Sequence, residues 1–439
     1  MTIQIIFKAK KHYNVLTFFD PRKTKLASLI KSFKALRPQP SMADAVIAPP
    51  YDVINSKEAL ELAKDRPNSF LHISKPEIDL EDGISYNDPK VYEKGKQNLD
   101  QMIKNEVLVE DSENMLYLYE MIDNDIHQLG IAAVGSVEAY EKEGIKRHEF
   151  TKPDKELDRV NNISSLNAQT GPVLLAYQDN EELSILMRVI AGRDEPIYDV
   201  KAIDGVTHRI YQVNQSDEQQ QILNLINSMD ALFIADGHHR SAAASVVKKN
   251  REKENSNHTG QESYNYFLTV SFPESEMNIL DYNRLIKNSI GITSDEVLKK
   301  LDDHFEVTSV DDAFKPSEKN HFGMYANHQW YSLKLRHSPT DDDPVEALDV
   351  SILHNLILEP VFRIGDERTD PNIDFVGGAR GMKGLELRVD NEEMDFAFSL
   401  YPTPIKALID VANAGMIMPP KSTWFEPKLL DGLLSHRID

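Results

Sequence analysis

The stretch Ala231-Leu-Phe-Ile-Ala-Asp-Gly-His-His-Arg240, running on through Ser241-Ala-Ala-Ala-Ser-Val-Val-Lys248, decides how this chain is read. Ala231–Ala235 is a short, nearly continuous apolar run of buried-strand type, Asp236-Gly237 is a turn, and His238–Lys253 has an Ala-rich helical composition. Tyr264–Phe272 follows as another strand. Strand, tight turn, helix, strand is a common frame for a phosphate site, because the first turn of a helix presents unpaired N–H groups and a partial positive charge. Within it Gly237 permits positive φ or close approach, the N–H groups from His238 onward can cradle phosphate oxygens, and Arg240 offers a planar fork for the same oxygens. Asp236 can cap the helix, orient a histidine or hold a metal ion, magnesium being the candidate. Neighbouring histidines project about 100° apart on a helix, so His238 and His239 are read as one substrate contact and one hydrogen-bonded structural residue, not as ligands of one metal. A capped helix with no ligand is the competing structural reading.

Working outward, the flanks alternate in type. Asn55-Ser-Lys-Glu58 has capping-box character and opens a short helix that stops before Pro67, and Pro89–Val107 carries Tyr92, Leu99, Met102 and Ile103 on one helical face. Met115–Met121 and Leu129–Tyr140 read as a strand hairpin around an Asp-Asn-Asp turn. A helix is expected to start in the polar stretch Arg147–Asp154 and run on through Asn167, then strands at Pro172–Tyr177, Leu183–Val189 and Ile197–Ala202, and a helix over Asp217–Met229. Further on, Thr293-Ser-Asp-Glu296 is a second capping box. His321–Leu335, Ile373–Gly377 and Met394–Leu400 read as strands and Pro404–Ala414 as a helix. The expected class is therefore α/β, of mixed α+β character: an N-terminal and central region over 1–290 carrying the turn, and a C-terminal α/β lobe over 291–439.

Other residues can carry chemistry. Arg147-His148-Glu149-Phe150-Thr151 joins guanidinium, imidazole and carboxylate, with Glu149 and His148 suited to acid–base work and Arg147 and Thr151 to holding an anion. Its bland reading is an exposed helix start. In Met418-Pro-Pro-Lys-Ser-Thr-Trp-Phe-Glu-Pro-Lys428, Lys421, Ser422 and Thr423 can reach a phosphate while Pro419, Pro420 and Trp424 wall a pocket; a rigid return of the tail is the alternative. Gly377–Gly384 is glycine-rich but lacks the spacing of a phosphate-binding loop. Asp204 with His208 and Arg209 reads as a solvated strand end, and His12, His72, His304, His328 and His354 as packing or surface.

A chain of 439 residues that is 41% hydrophobic can bury a sizeable core. With no cysteine, disulfides, thiolate nucleophiles and Cys-based metal sites are excluded. A net charge of −22 repels nucleic acid and anionic lipid, and the basic clusters at Lys8–Lys11, Arg22–Lys25 and Lys248–Lys253 are short enough to be solvated faces. Apolar runs fall short of a membrane span, and lysines interrupt the start before a signal core forms, so a cytoplasmic protein with neither a membrane nor a nucleic-acid partner is expected.

Taken in order, Ala48-Pro-Pro-Tyr-Asp-Val-Ile54, Pro67-Asn-Ser-Phe-Leu-His-Ile73, Arg147–Thr151, Gly171-Pro-Val173, Ala235–Arg240 and Met418–Thr423 resemble the bacterial and archaeal proteins of domain-of-unknown-function family 1015. Ser241 departs from that pattern, which has an aromatic residue after the arginine. The turn itself is similar to the phosphate-binding turn of the ParB/sulfiredoxin superfamily, which includes free serine kinases. That resemblance implies a ParB/sulfiredoxin-like strand–turn–helix core whose Asp236, Gly237, His238, His239 and Arg240 face nucleotide phosphates. It also implies ATP or ADP with magnesium as cofactors and serine or a related small molecule as acceptor. Sulfiredoxin chemistry is excluded, since it needs a cysteine. Three activities stay open: a phosphotransferase of the free-serine-kinase kind, a phosphohydrolase acting for example on phosphoserine, and a non-catalytic regulator that binds a nucleotide or phosphoserine.

Overall fold

The computed structural model describes residues 28–81, 83–337 and 343–438, so His12 and the basic clusters at Lys8–Lys11 and Arg22–Lys25 lie outside the described residues. A nine-stranded mixed sheet forms the centre. From one edge its strands run Ile145–Lys146, Leu232–Asp236, Val173–Tyr177, Tyr266–Pro273, Ile126–Ser136, Tyr117–Asp123, Thr207–Gln212 and Tyr198–Lys201, with Ile30–Lys31 also pairing with Ile126–Ser136. The strand ahead of the Asp236-Gly237 turn thus sits near one edge, antiparallel to Val173–Tyr177. Its register shifts between Ile234 and Asp236, so the chain leaves the sheet at the turn itself.

The helices that bound the site form where their ends allow. Pro153 opens Pro153–Leu166, and Asn167, in the left-handed region at φ 52°, ends it. It packs against His238–Glu254 through Val160, Ile163, Ala243 and Val247, a small cluster that also takes in Ile438. Both expected capping boxes are present, at Asn55 with Glu58 and at Thr293 with Glu296.

A second, six-stranded antiparallel sheet runs Phe305–Val310, Gln329–Leu335, His321–Ala326, Phe396–Ser399, Tyr282–Ile286, Ile373–Gly377. Its apolar face shares one continuous core with the first sheet, in which Tyr117, Phe272, Phe305, Phe398 and Leu430 are all buried. The molecule is mixed α/β, as expected. The chain then turns back: Trp424–Phe425 pairs with Ile279–Leu280, and Ser435–Arg437 inserts between Ala35–Pro38 and Ala168–Gln169. Among the described residues no helix is long and apolar enough to cross a membrane.

Several expectations are corrected. Leu183–Val189 is not a strand but part of the helix Glu181–Arg193, capped by the Asn180 side chain accepting from the Leu183 amide. Leu183, Met187 and Ile190 are buried while Ile185 and Val189 face outward. Apolar residues on both faces blur the 3.6-residue period that marks an amphipathic helix. His321–Leu335 is a hairpin, turning at Asn327-His328, both at positive φ (51° and 60°), which suits the twist of a two-residue turn. Leu129–Tyr140 stops being a strand at Ser136, whose hydroxyl caps the short helix Val137–Glu141. The helical run from Asp349 to Phe362, with a wide turn over His354–Leu358, carries no strong sequence signal.

Candidate active site

Gly237, at φ 102°, is the last residue before the helix His238–Glu254. That left-handed turn points the helix start into a cleft, and no side chain caps it. The amides of His238, His239 and Arg240 open the first helical turn, where geometry supplies no intrahelical acceptor, and no described residue accepts from them. A Cβ at Gly237 would stand 3.1 Å from Arg240 Nε and 3.3 Å from Val173 Cα, so the turn is close-packed from behind.

The cleft, about 630 Å³, brings together three of the segments singled out above, through Asp236–Arg240, Glu149 and Phe150, and Met418 and Lys421, with Asp52, Lys152 and Arg159 beside them. The two polar clusters therefore meet. An adjoining, smaller arm of about 170 Å³ is lined by His148, Glu149, His238, Thr423 and Lys428.

Around the turn the charges are paired. Lys428 Nζ lies 3.3 Å from Asp236 Oδ2, and Arg240 Nη2 lies 3.8 Å from both Asp236 Oδ1 and Asp52 Oδ2. Burial opposes ionisation of Asp236, but Lys428 and then Arg240 outweigh it and hold the carboxyl well below the usual range. Arg240 Nη1 also donates to the Pro172 carbonyl, and its Nε has no partner among the described residues. The arginine is thus mostly buried, bracing the turn as well as charging it. Behind it, burial pushes Asp431 up to about 7 even though Arg240 pulls the other way. Facing the turn, Glu149 is pushed up by burial, with Lys421 countering it.

The histidines separate by environment. His148 and His238 stack edge to face, ring centroids 4.4 Å apart, and both are buried. Burial lowers His148 to about 4 and His238 well below its ordinary value, so both rings are neutral near pH 7. His238 Nε2 faces the His148 amide at 3.5 Å and its Nδ1 lies 3.8 Å from Glu149 Oε2. His239 Nε2 accepts from the Lys152 amide at 3.1 Å, which leaves the proton on Nδ1.

The remaining residues read from sequence divide. Lys421, at φ 58°, reaches the cleft beside Glu149, and Thr423 lines the smaller arm. Ser422 lines the same arm, but its hydroxyl donates to the Pro419 carbonyl at 2.7 Å within the tail's own turn. Thr151 likewise spends its hydroxyl on Glu156, at 2.6 Å. Arg147 is exposed, turned over the Tyr140 ring at 6.0 Å, and lines neither part of the cleft. Asp204, His208 and Arg209 are not a site either; His208 is fully buried, with Nδ1 3.0 Å from the Tyr119 hydroxyl.

Sequence reasoning missed Asp52, Lys428 and Asp431, and it missed the device that sets the tail. Arg284, fully buried, donates to the carbonyls of Tyr282, Pro420 and Lys421 and pairs with Glu367 at 3.3 Å. Asp52 and Lys428 lie inside stretches already singled out, so only their pairing partners were invisible. Arg284 sits in an unremarkable strand, and nothing in its neighbours announces it.

No curated protein matches the chain. Among solved structures, a conserved hypothetical protein from Pyrococcus furiosus is 12% identical, covering 69% of this chain and 94% of its own, with a TM-score of 0.33. SbnI with a C-terminal truncation, from Staphylococcus aureus, is 10% identical over 68% of this chain and 85% of its own, at 0.37. A free serine kinase in complex with AMP is 12% identical over 70% of this chain and 91% of its own, at 0.34. Likeness at that level bears on neither site nor activity. Over residues 30–351 the chain matches the family described as "Protein of unknown function (DUF1015)", and it belongs to that family.

Proposed function

We propose that the cleft binds the phosphates of a nucleotide, ATP or ADP, and transfers a phosphoryl group to the hydroxyl of serine or a related small molecule. The observation that carries this is the open helix start: three successive amides, His238 to Arg240, without acceptors among the described residues, facing a cleft that also holds Lys421 and Lys428. The amides and lysines would take the phosphate oxygens, and Arg240 would fix the turn that aims them. Glu149, whose proton affinity burial has raised, is the carboxylate suited to accept the acceptor's hydroxyl proton. Asp236 already faces two cations, so magnesium would enter as the counter-ion of the nucleotide and not on a site of its own. The acceptor class comes from the turn's resemblance to that of free serine kinases. With a net charge of −22, a small anion held locally fits better than a nucleic acid.

The test is a thermal-shift panel of ATP, ADP, serine and phosphoserine, each with and without magnesium, since a ligand that binds only the folded state raises its melting temperature. A nucleotide is expected to stabilise the protein, and Lys421→Ala is expected to weaken that binding roughly 10-fold or more, the worth of a charge-assisted contact. No shift with any phosphate ligand would refute the reading. A second reading, hydrolysis of a phosphate ester such as phosphoserine, is favoured by the smaller arm, which at about 170 Å³ admits water and small groups beside Glu149. Product analysis separates the two, because a transferase needs donor and acceptor together.

A further inference from the structure

Among the described residues, His148, Glu149 and His238 place one donor atom each within 4.8 Å of one another, and all three line the smaller arm. His148 Nδ1 is buried, in a residue only 2% exposed, and has no hydrogen-bond partner among the described residues. An unpartnered polar atom so far from water costs free energy unless something fills the place in front of it. We infer that these three residues form a binding site for a divalent first-row transition cation.

The donor set argues for that class. Two imidazoles and a carboxylate suit zinc, manganese, cobalt, nickel or iron, whereas magnesium and calcium prefer all-oxygen shells. Ligand atoms about 2.1 Å from a metal stand roughly 3 to 3.5 Å apart. His238 Nδ1 and Glu149 Oε2, at 3.8 Å, therefore need only a small closure. Glu149 can make it, since its side chain is 39% exposed while His238 is held at 5%. A metal on His238 Nδ1 moves the ring proton to Nε2 and loosens the contact to the His148 amide, which at 3.5 Å is already weak. Adjacent histidines on one helix do not share a metal; the second imidazole comes instead from the segment after the edge strand Ile145–Lys146, which pairs with the strand Leu232–Asp236 that leads into the turn.

This goes beyond the phosphate reading and is separable from it. A cation here leaves the helix amides and Lys428 untouched, and Glu149 serves as free proton acceptor only in the metal-free protein. The experiment uses the full chain stripped of metal with a chelator and titrated, without nucleotide, with zinc, manganese and cobalt separately. Calorimetry gives stoichiometry, and visible absorption reports the cobalt coordination. One equivalent of at least one ion is expected to bind, with affinity falling about 10-fold or more in Glu149→Gln and in His148→Gln. Glu149→Gln keeps the inference falsifiable if the buried histidine variant fails to fold. Absence of one-equivalent binding overturns it, and so does binding that Glu149→Gln leaves unchanged. Nucleotide-induced thermal shifts of the stripped protein test the phosphate reading independently.

Discussion

Arg240 joins two carboxylates of different segments, Asp52 and Asp236, to the carbonyl of Pro172, and it does so almost entirely out of water. Replacing it with Met keeps the aliphatic stem but leaves Asp236 with Lys428 alone and the Pro172 carbonyl without its donor. Removing the charged partner of buried hydrogen bonds costs more than the bonds themselves contribute, so Arg240→Met is expected to lower unfolding free energy by about 2 kcal/mol. Urea denaturation checks it; an unchanged midpoint would show that Arg240 serves the ligand and not the turn. A different carboxyl, remote from the cleft, sets a pH dependence. Burial pushes Asp349 up to about 6, although the Asn320 amide donates to Oδ1; Oδ2 has no partner among the described residues. A carboxyl whose folded-state value is raised binds its proton more tightly when folded, so its contribution favours the fold at low pH and is lost as pH rises from about 4 to 6. The stability of Asp349→Asn relative to the parent is therefore expected to rise by about 1 kcal/mol between about pH 5 and pH 7.5. Thermal melts of both proteins at the two pH values measure it, and a pH-independent difference would contradict it.

The strand, turn and helix around Gly237 were legible because each carries its own local signal: a run of Leu232, Phe233 and Ile234 with no polar break, a glycine where φ must be positive, then alanines. Gly237→Ala tests the element directly. It demands a left-handed alanine and presses a Cβ against Arg240 and Val173, so a loss of about 1–2 kcal/mol is expected from the backbone alone, before any packing shift. Chemical denaturation reads the midpoint, and ligand-induced thermal shift reads whether the amides still face the cleft. The Glu181–Arg193 helix was not legible, because its outward Ile185 and Val189 carry the apolar character that pattern reading assigns to a core face. For the site, segments were legible and pairings were not. Arg147-His148-Glu149-Phe150-Thr151 contains three residues that line the cleft or its smaller arm, His148, Glu149 and Phe150, and two, Arg147 and Thr151, that line neither, because which way a side chain leaves a non-helical segment is set by its neighbours in space.

Across the whole molecule the decisive feature is the return of the chain's end. The segment after Met418 delivers Lys421, Thr423 and Lys428 to a cleft lined mostly by residues before 241, with Tyr282, Glu367, Arg368 and Phe375 from the second sheet and its flanks. The final strand, Ser435–Arg437, then sits between strands from the start and the middle of the sequence. Ile438, fully buried, is its anchor: it enters the cluster of Val160, Ile163, Ala243 and Val247 that holds the helix of the turn against the helix Pro153–Leu166. Closing so long a loop is entropically unfavourable, so the contacts at its far end must hold it, and a defect there should be felt where the loop carries the site. Truncating a fully buried isoleucine leaves a cavity the surroundings fill only in part, and Ile438→Ala is expected to cost about 3 kcal/mol in unfolding free energy. Amide exchange distinguishes the two ways that loss can be distributed. If the return is one cooperative unit with the helix pair, protection falls together at Ala35–Pro38, at Ala168–Gln169 and in the helix from His238, and phosphate-ligand binding weakens with it. If instead only the last strand frays while the helix amides keep their protection, the tail closes over a site that is already formed without it.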